Sequence, residues 1–134
     1  MDDSTRQLVR DRAQNRCEYC HLPQAGHDER FSLDHVIARK HQGPDTPENL
    51  ALCCLRCNLH KGTDLTGIDP LTRALVPLFN PRRQVWSEHF RWDGAIVSGT
   101  TKTGRTTMSV LRMNAPERVR LRTALLSEGK LRLD

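Results

Sequence analysis

Aromatic residues are scarce in this chain, with three Phe, two Trp and one Tyr among 134 residues. Hydrophobic residues make up 37%, so side-chain burial alone would give a thin core. Chains of this size with such a core often lean on covalent or metal staples. Long apolar runs are missing too. Nothing approaches the ~18–20 residues of a membrane span, which removes a bilayer-crossing helix from consideration. The opening stretch, MDDSTRQLVRDRAQNRC, is charged where a secretory leader is apolar, and a cytoplasmic protein is expected. A reducing compartment disfavours disulfides. Five cysteines, an odd number, also cannot all pair with one another. Metal ligation or catalysis is the better use for them.

Acidic residues are unevenly distributed. Residues 1–81 hold 10 Lys/Arg and 11 Asp/Glu, whereas residues 82–134 hold 11 Lys/Arg and 5 Asp/Glu. The second stretch therefore carries +6, mostly as Arg, a side chain suited to bidentate phosphate contact. Such a block favours a polyanionic partner, with nucleic acid first. A solvated face is the plainer reading.

Hydrophobic spacing and breaker residues predict a helix over 4–15, with Leu8, Val9 and Ala13 on its apolar stripe. A loop-rich knuckle follows to residue 30. Short strands are expected over 31–37 and 50–53, then a helical turn over 58–62 capped by Asn58. Gly67, Pro70, Pro77 and Pro81 predict irregular chain over 63–83. Strands are expected over 85–93 and 95–112, with turns at Asp93-Gly94 and near Gly104. A final helix begins at Asn114-Ala115-Pro116-Glu117 with Asn as its cap, and Gly129 stops it. The fold class is α+β. Residues 1–81 form the core and 82–134 a basic extension packed on it within one domain.

Cys17-Glu18-Tyr19-Cys20 and Cys54-Leu55-Arg56-Cys57 are two C-x-x-C pairs. Each can present two thiolates to one ion, and four sulfurs complete the tetrahedral shell of structural zinc. Cys53 is left over as a small buried residue. Cys17-x-x-Cys20-His21 also fits a haem-attachment pattern, but that reading leaves Cys54 and Cys57 without a use.

The segment between the pairs carries groups suited to phosphodiester hydrolysis. That reaction needs a base for water and positive charge for the developing phosphorane. His35 suits the first task. Asp34 could hold a hard cation such as Mg2+, and Asn58 could add an amide oxygen from the start of the following helix. In a regular strand, however, Asp34 and His35 face opposite sides, so one shared site requires a twist or a bulge.

Taken together, the C-x-x-C, Asp34-His35, Gly43-Pro44, Glu48-Asn49-Leu50, C-x-x-C-Asn58 and Lys61-Gly62 elements occur in an order that resembles the HNH endonuclease family, over roughly residues 16–63. The resemblance implies a zinc-stabilised ββα-metal (His-Me finger) fold flanked by an N-terminal helix and by C-terminal strands plus a helix. It implies a metal-dependent DNA endonuclease with His35 as general base. Asp34 and Asn58 would bind one catalytic Mg2+ or Mn2+, and Asn49 would hold the loop that orients the base. Many family members end the signature in His where this chain has Asn58.

Lys61, Arg39, Arg82 and Arg83 are candidates for phosphate contact. The aromatic-rich stretch 78–92 is expected to pack on the core through Trp86, Phe90 and Trp92, and His89 within it is a further candidate. The expected partner is double-stranded DNA, bound by a monomer or homodimer or within a larger nuclease system. The rival is a four-cysteine zinc module that binds nucleic acid without cutting it.

Overall fold

The computed structural model describes residues 1–133. Helix α1 runs Asp3–Arg12, with the Asp2 carboxylate accepting from the Thr5 amide at 2.8 Å as N-cap. Val9 and Ala13 are buried from its apolar stripe, while Leu8 stays exposed. The chain then turns through the first cysteine knuckle, where the Glu18 amide donates to Leu52 O at 2.9 Å. That bond ties the knuckle to the edge of the sheet that follows.

Strands β1 (Ser32–His35) and β2 (Leu50–Cys53) pair antiparallel, with Asp34 opposite Ala51 and His35 opposite Leu50. Every residue of β2 is buried, so this strand is the floor of the core. Helix α2 spans Leu55–Lys61 and starts earlier than its sequence suggests. Cys54 is the N-cap, its sulfur accepting from the Cys57 amide at 3.4 Å. Asn58 therefore lies inside the helix and caps nothing.

Beyond α2, the stretch expected to be irregular contains a hairpin, β3 (Thr66–Ile68) with β4 (Leu75–Pro77). Strands β5 (Phe90–Asp93) and β6 (Ile96–Gly99) form a second hairpin around the predicted Asp93-Gly94 turn. Residues 102–110, expected in a strand, form helix α3 (Lys102–Val110). Two local features override the β-branched composition. The Thr101 hydroxyl caps the helix by accepting from the Gly104 amide at 3.1 Å. Gly104 serves close packing and makes no turn, since a Cβ there would lie 1.9 Å from the His89 carbonyl oxygen.

Helix α4 (Pro116–Ser127) closes the fold. Its N-cap is Ala115. Asn114, expected to cap it, instead brackets β6, accepting from Val97 N at 2.9 Å and donating to Val97 O at 2.7 Å. One buried cluster joins the cysteines, Tyr19 and β2 to Phe79, Phe90, Val97, Leu111, Met113 and Leu125. Trp86 seals it, donating from Nε1 to Tyr19 O at 2.8 Å and stacking on His21 with ring centroids 4.0 Å apart.

Candidate metal centre and hairpin site

The two C-x-x-C pairs meet. The sulfurs of Cys17, Cys20, Cys54 and Cys57 lie within 4.8 Å of one another, and all four residues are buried. Cys20 and Cys54 are 3.7 Å apart, close to the ~3.8 Å sulfur–sulfur edge of a tetrahedron with Zn–S bonds near 2.3 Å. The donor set and its spacing fit structural zinc. Among the described residues, no other group of three or more His, Cys, Asp or Glu is gathered tightly enough to hold an ion. Cys53 is buried beside the cluster and is not one of the four.

Four thiolates around one Zn2+ leave a net charge of −2, and α4 supplies a counter-charge. Arg118 is 3% exposed, and its Nη2 donates to Cys57 Sγ at 2.9 Å and to Cys54 Sγ at 3.7 Å. Its Nη1 donates to the carbonyls of Leu111 and Arg112. Arg122, one turn further along, is also buried, donating to the carbonyls of Ala95 and Met113. The three α4 arginines are therefore not equivalent. Arg120 is exposed, whereas Arg118 and Arg122, four residues apart, share the inward face.

On the hairpin, Asp34 and His35 diverge as strand alternation demands. Asp34 is 5% exposed. Its carboxylate accepts from Tyr19 Oη at 2.7 Å and pairs with Lys61 Nζ at 3.0 Å. Burial pushes its pKa above the ordinary 3.8, against the pull of Lys61 and Tyr19. Tyr19 is pushed well above 10, first by burial and then by the Asp34 charge, and so remains a donor. Lys61 is 2% exposed and donates as well to the carbonyls of His35 and Val36, at 3.1 and 3.2 Å. Its three N–H donors are thereby engaged. The expectation that Lys61 reaches a phosphate does not match this placement.

His35 points the other way, with its side chain 16% exposed and Nε2 at 2.7 Å from Asp45 Oδ1. Arg39 Nε donates to the same oxygen at 2.9 Å. Hydrogen bonds from Arg39, first, and then from His35 hold the Asp45 carboxyl below its ordinary range. Asn49 organises the loop between them. Its Oδ1 accepts from Ile37 N, and its Nδ2 donates to the carbonyls of Ile37 and Pro44, all at 2.9 Å. Gly43 is required where the loop crosses the strand end, because a Cβ would lie 1.7 Å from Ile37 O.

The remaining candidates divide. Asn58 is half-buried on α2, one turn before Lys61. Arg83 and Arg39 are exposed, while Arg82 forms an ion pair with Glu18. Glu18 also accepts from the Leu52 amide at 2.8 Å, so Arg82 braces the knuckle. His89 hydrogen-bonds Thr101 at the start of α3 with 2.7 Å between Nδ1 and Oγ1. Asp45, Tyr19 and Arg118 were not singled out from the sequence. Only the i, i+4 spacing of Arg118 and Arg122 carried a signal.

No helix among the described residues is long and apolar enough to cross a membrane. No curated protein and no solved structure matches the chain. Residues 17–64 match the family model for HNH endonucleases, a stretch that contains the β1–β2 hairpin, α2 and the four cysteines.

Proposed function

We propose that the protein is a metal-dependent endonuclease that hydrolyses phosphodiester bonds in DNA, with His35 as general base. The observation that carries this reading is the partly exposed imidazole at the end of β1, within the stretch that matches the nuclease family. His35 takes a proton from water as the water oxygen bonds to phosphorus. The P–O bond to the leaving oxygen then breaks, and that oxygen is protonated by solvent. Asn49 holds the loop beside the base without touching substrate.

Asp34 and Asn58 would hold a single Mg2+ or Mn2+, which supplies positive charge to the phosphoryl oxygens. The oxygen donors suit such an ion. The Lys61 ammonium already provides a positive charge at the Asp34 carboxylate, so an ion there must displace or share with it. Arg39 and Arg83, both exposed, are the proposed backbone contacts, while Arg82 is engaged by Glu18. The proposed substrate is double-stranded. One site cuts one strand, so a double-strand break requires a homodimer, a second encounter or a larger assembly.

The closed Asp34–Lys61–Tyr19 group favours a second reading, a zinc module that binds nucleic acid without cutting it. A plasmid assay separates the two. The nuclease reading expects Mg2+ or Mn2+ to convert supercoiled plasmid to open circle, and chelation of that ion to stop it. Retarded but uncut plasmid under both metals would establish the binding module instead.

A further inference from the structure

Loop 42–46 is held by more contacts than a surface connection needs. Asn49 grips Ile37, two residues after His35, and Pro44, one residue before Asp45. A single buried amide therefore sets the base-bearing strand and the Asp45-bearing loop in register. Gly43 lets the loop pass against the Ile37 carbonyl, and Pro44 limits its freedom. The outcome is a carboxylate delivered to the imidazole edge at 2.7 Å. Arg39 Nε donates to that same carboxylate oxygen. Asp45 is itself 57% exposed, so its contact with His35 adds little to the stability of the fold. A function in orienting the imidazole accounts for the construction better.

We propose that Asp45 is a positioning residue for His35: its carboxylate keeps the imidazole proton on Nε2 and leaves the Nδ1 lone pair to accept the proton of the attacking water. The inference rests on the reading of His35 as the base. An acceptor facing one ring nitrogen selects the tautomer protonated there. As Nδ1 takes the proton from water, the ring becomes a cation whose second N–H already points at an anion, which stabilises it without any motion. Arg39 acts one step back, holding the carboxylate in the orientation that meets Nε2.

The test pairs kinetics with imidazole 15N NMR. Asp45→Asn keeps the shape but can offer an N–H to Nε2, which favours the opposite tautomer. Asp45→Ala removes the partner, and Asp45→Glu restores a carboxylate on a longer stem. The His35 signals are assigned by their loss in His35→Gln, and spectra are taken at a pH where the ring is neutral. The expected result is an Nε2–H imidazole in the natural protein and redistribution towards Nδ1–H in Asp45→Asn. Turnover of nicking should fall about 10–100-fold in the Asn and Ala variants, within the ~10²–10⁴-fold reach of general-base catalysis. KM should stay unchanged, and Asp45→Glu should recover part of the loss. An unchanged tautomer in Asp45→Asn, or turnover within twofold of the natural protein, overturns the proposal. If the natural protein cuts nothing, the base assignment fails, while the NMR arm still decides whether Asp45 sets the ring.

Discussion

Two polar centres share the β1–β2–α2 unit, and they are built on opposite terms. At the sulfur centre, four thiols converge on one point, and Arg118 donates to two of them from outside the set. Convergence of that kind is paid for by an ion. At the carboxylate centre, Asp34 is already satisfied by Lys61 and Tyr19, so this half of the hairpin holds its shape with the chain's own groups. The first centre has the donor set of a structural ion. The second is satisfied by the chain's own groups, with His35 the next residue of the strand.

The largest test of that contrast is loss of a sulfur. Structural zinc contributes on the order of 10–16 kcal/mol in small domains, and Cys54 is both a member of the cluster and the cap of α2. Cys54→Ser should lose the ion and unfold the protein, as read by zinc content and circular dichroism. A folded, zinc-free Cys54→Ser protein would break the comparison.

The carboxylate centre should respond more mildly. Lys61→Met leaves Asp34 buried without its counter-charge, which costs about 3–5 kcal/mol. Urea unfolding should show that loss with zinc still bound. The double variant Lys61→Met/Asp34→Asn should recover much of it, because both charges are then gone. Additive losses would mean that the two side chains act independently.

A third carboxylate sharpens the contrast at the smallest scale. Asp69 is buried in the β3–β4 connection, and Arg105 grips both of its oxygens, at 3.1 and 2.9 Å. Arg105 first, helped by the Leu71 amide and the Thr72 hydroxyl, holds its pKa well below the ordinary 3.8, where burial had pushed Asp34 upward. The stabilisation from Asp69 is therefore fully present above 3.8 and is lost as pH falls towards the folded-state value. Asp69→Asn should flatten the acid limb of a stability–pH curve. An unaltered acid limb would show that this pair contributes nothing to acid sensitivity.

The sulfur centre was legible in the sequence because two C-x-x-C pairs specify their own local turns. The Asp34-His35 dipeptide, the β1–β2 pairing and α4 were readable for similar reasons of spacing. Lys61 was not. A lysine in the last turn of this short helix reads as a phosphate contact, and only the fold, by bringing Asp34 from 27 residues away, makes it a buried ion-pair partner. Helix α3 was masked by its threonines and by Gly104, whose purpose is close approach to His89 and not a turn. Asp45 carries no such signal, because its significance depends on Asn49 pinning Pro44, six residues before β2 begins at Leu50. Local chemistry was visible in each case where neighbours in sequence supplied it. Partners that depended on folding were not.

The most direct test of the account is a paired measurement on His35→Ala: bound zinc per chain and the rate of plasmid nicking in Mg2+ or Mn2+. A base carried at the rim of an independent sulfur frame predicts full zinc content, an unchanged fold and no nicking above background. Nicking at the natural rate, or loss of zinc together with activity, would contradict it.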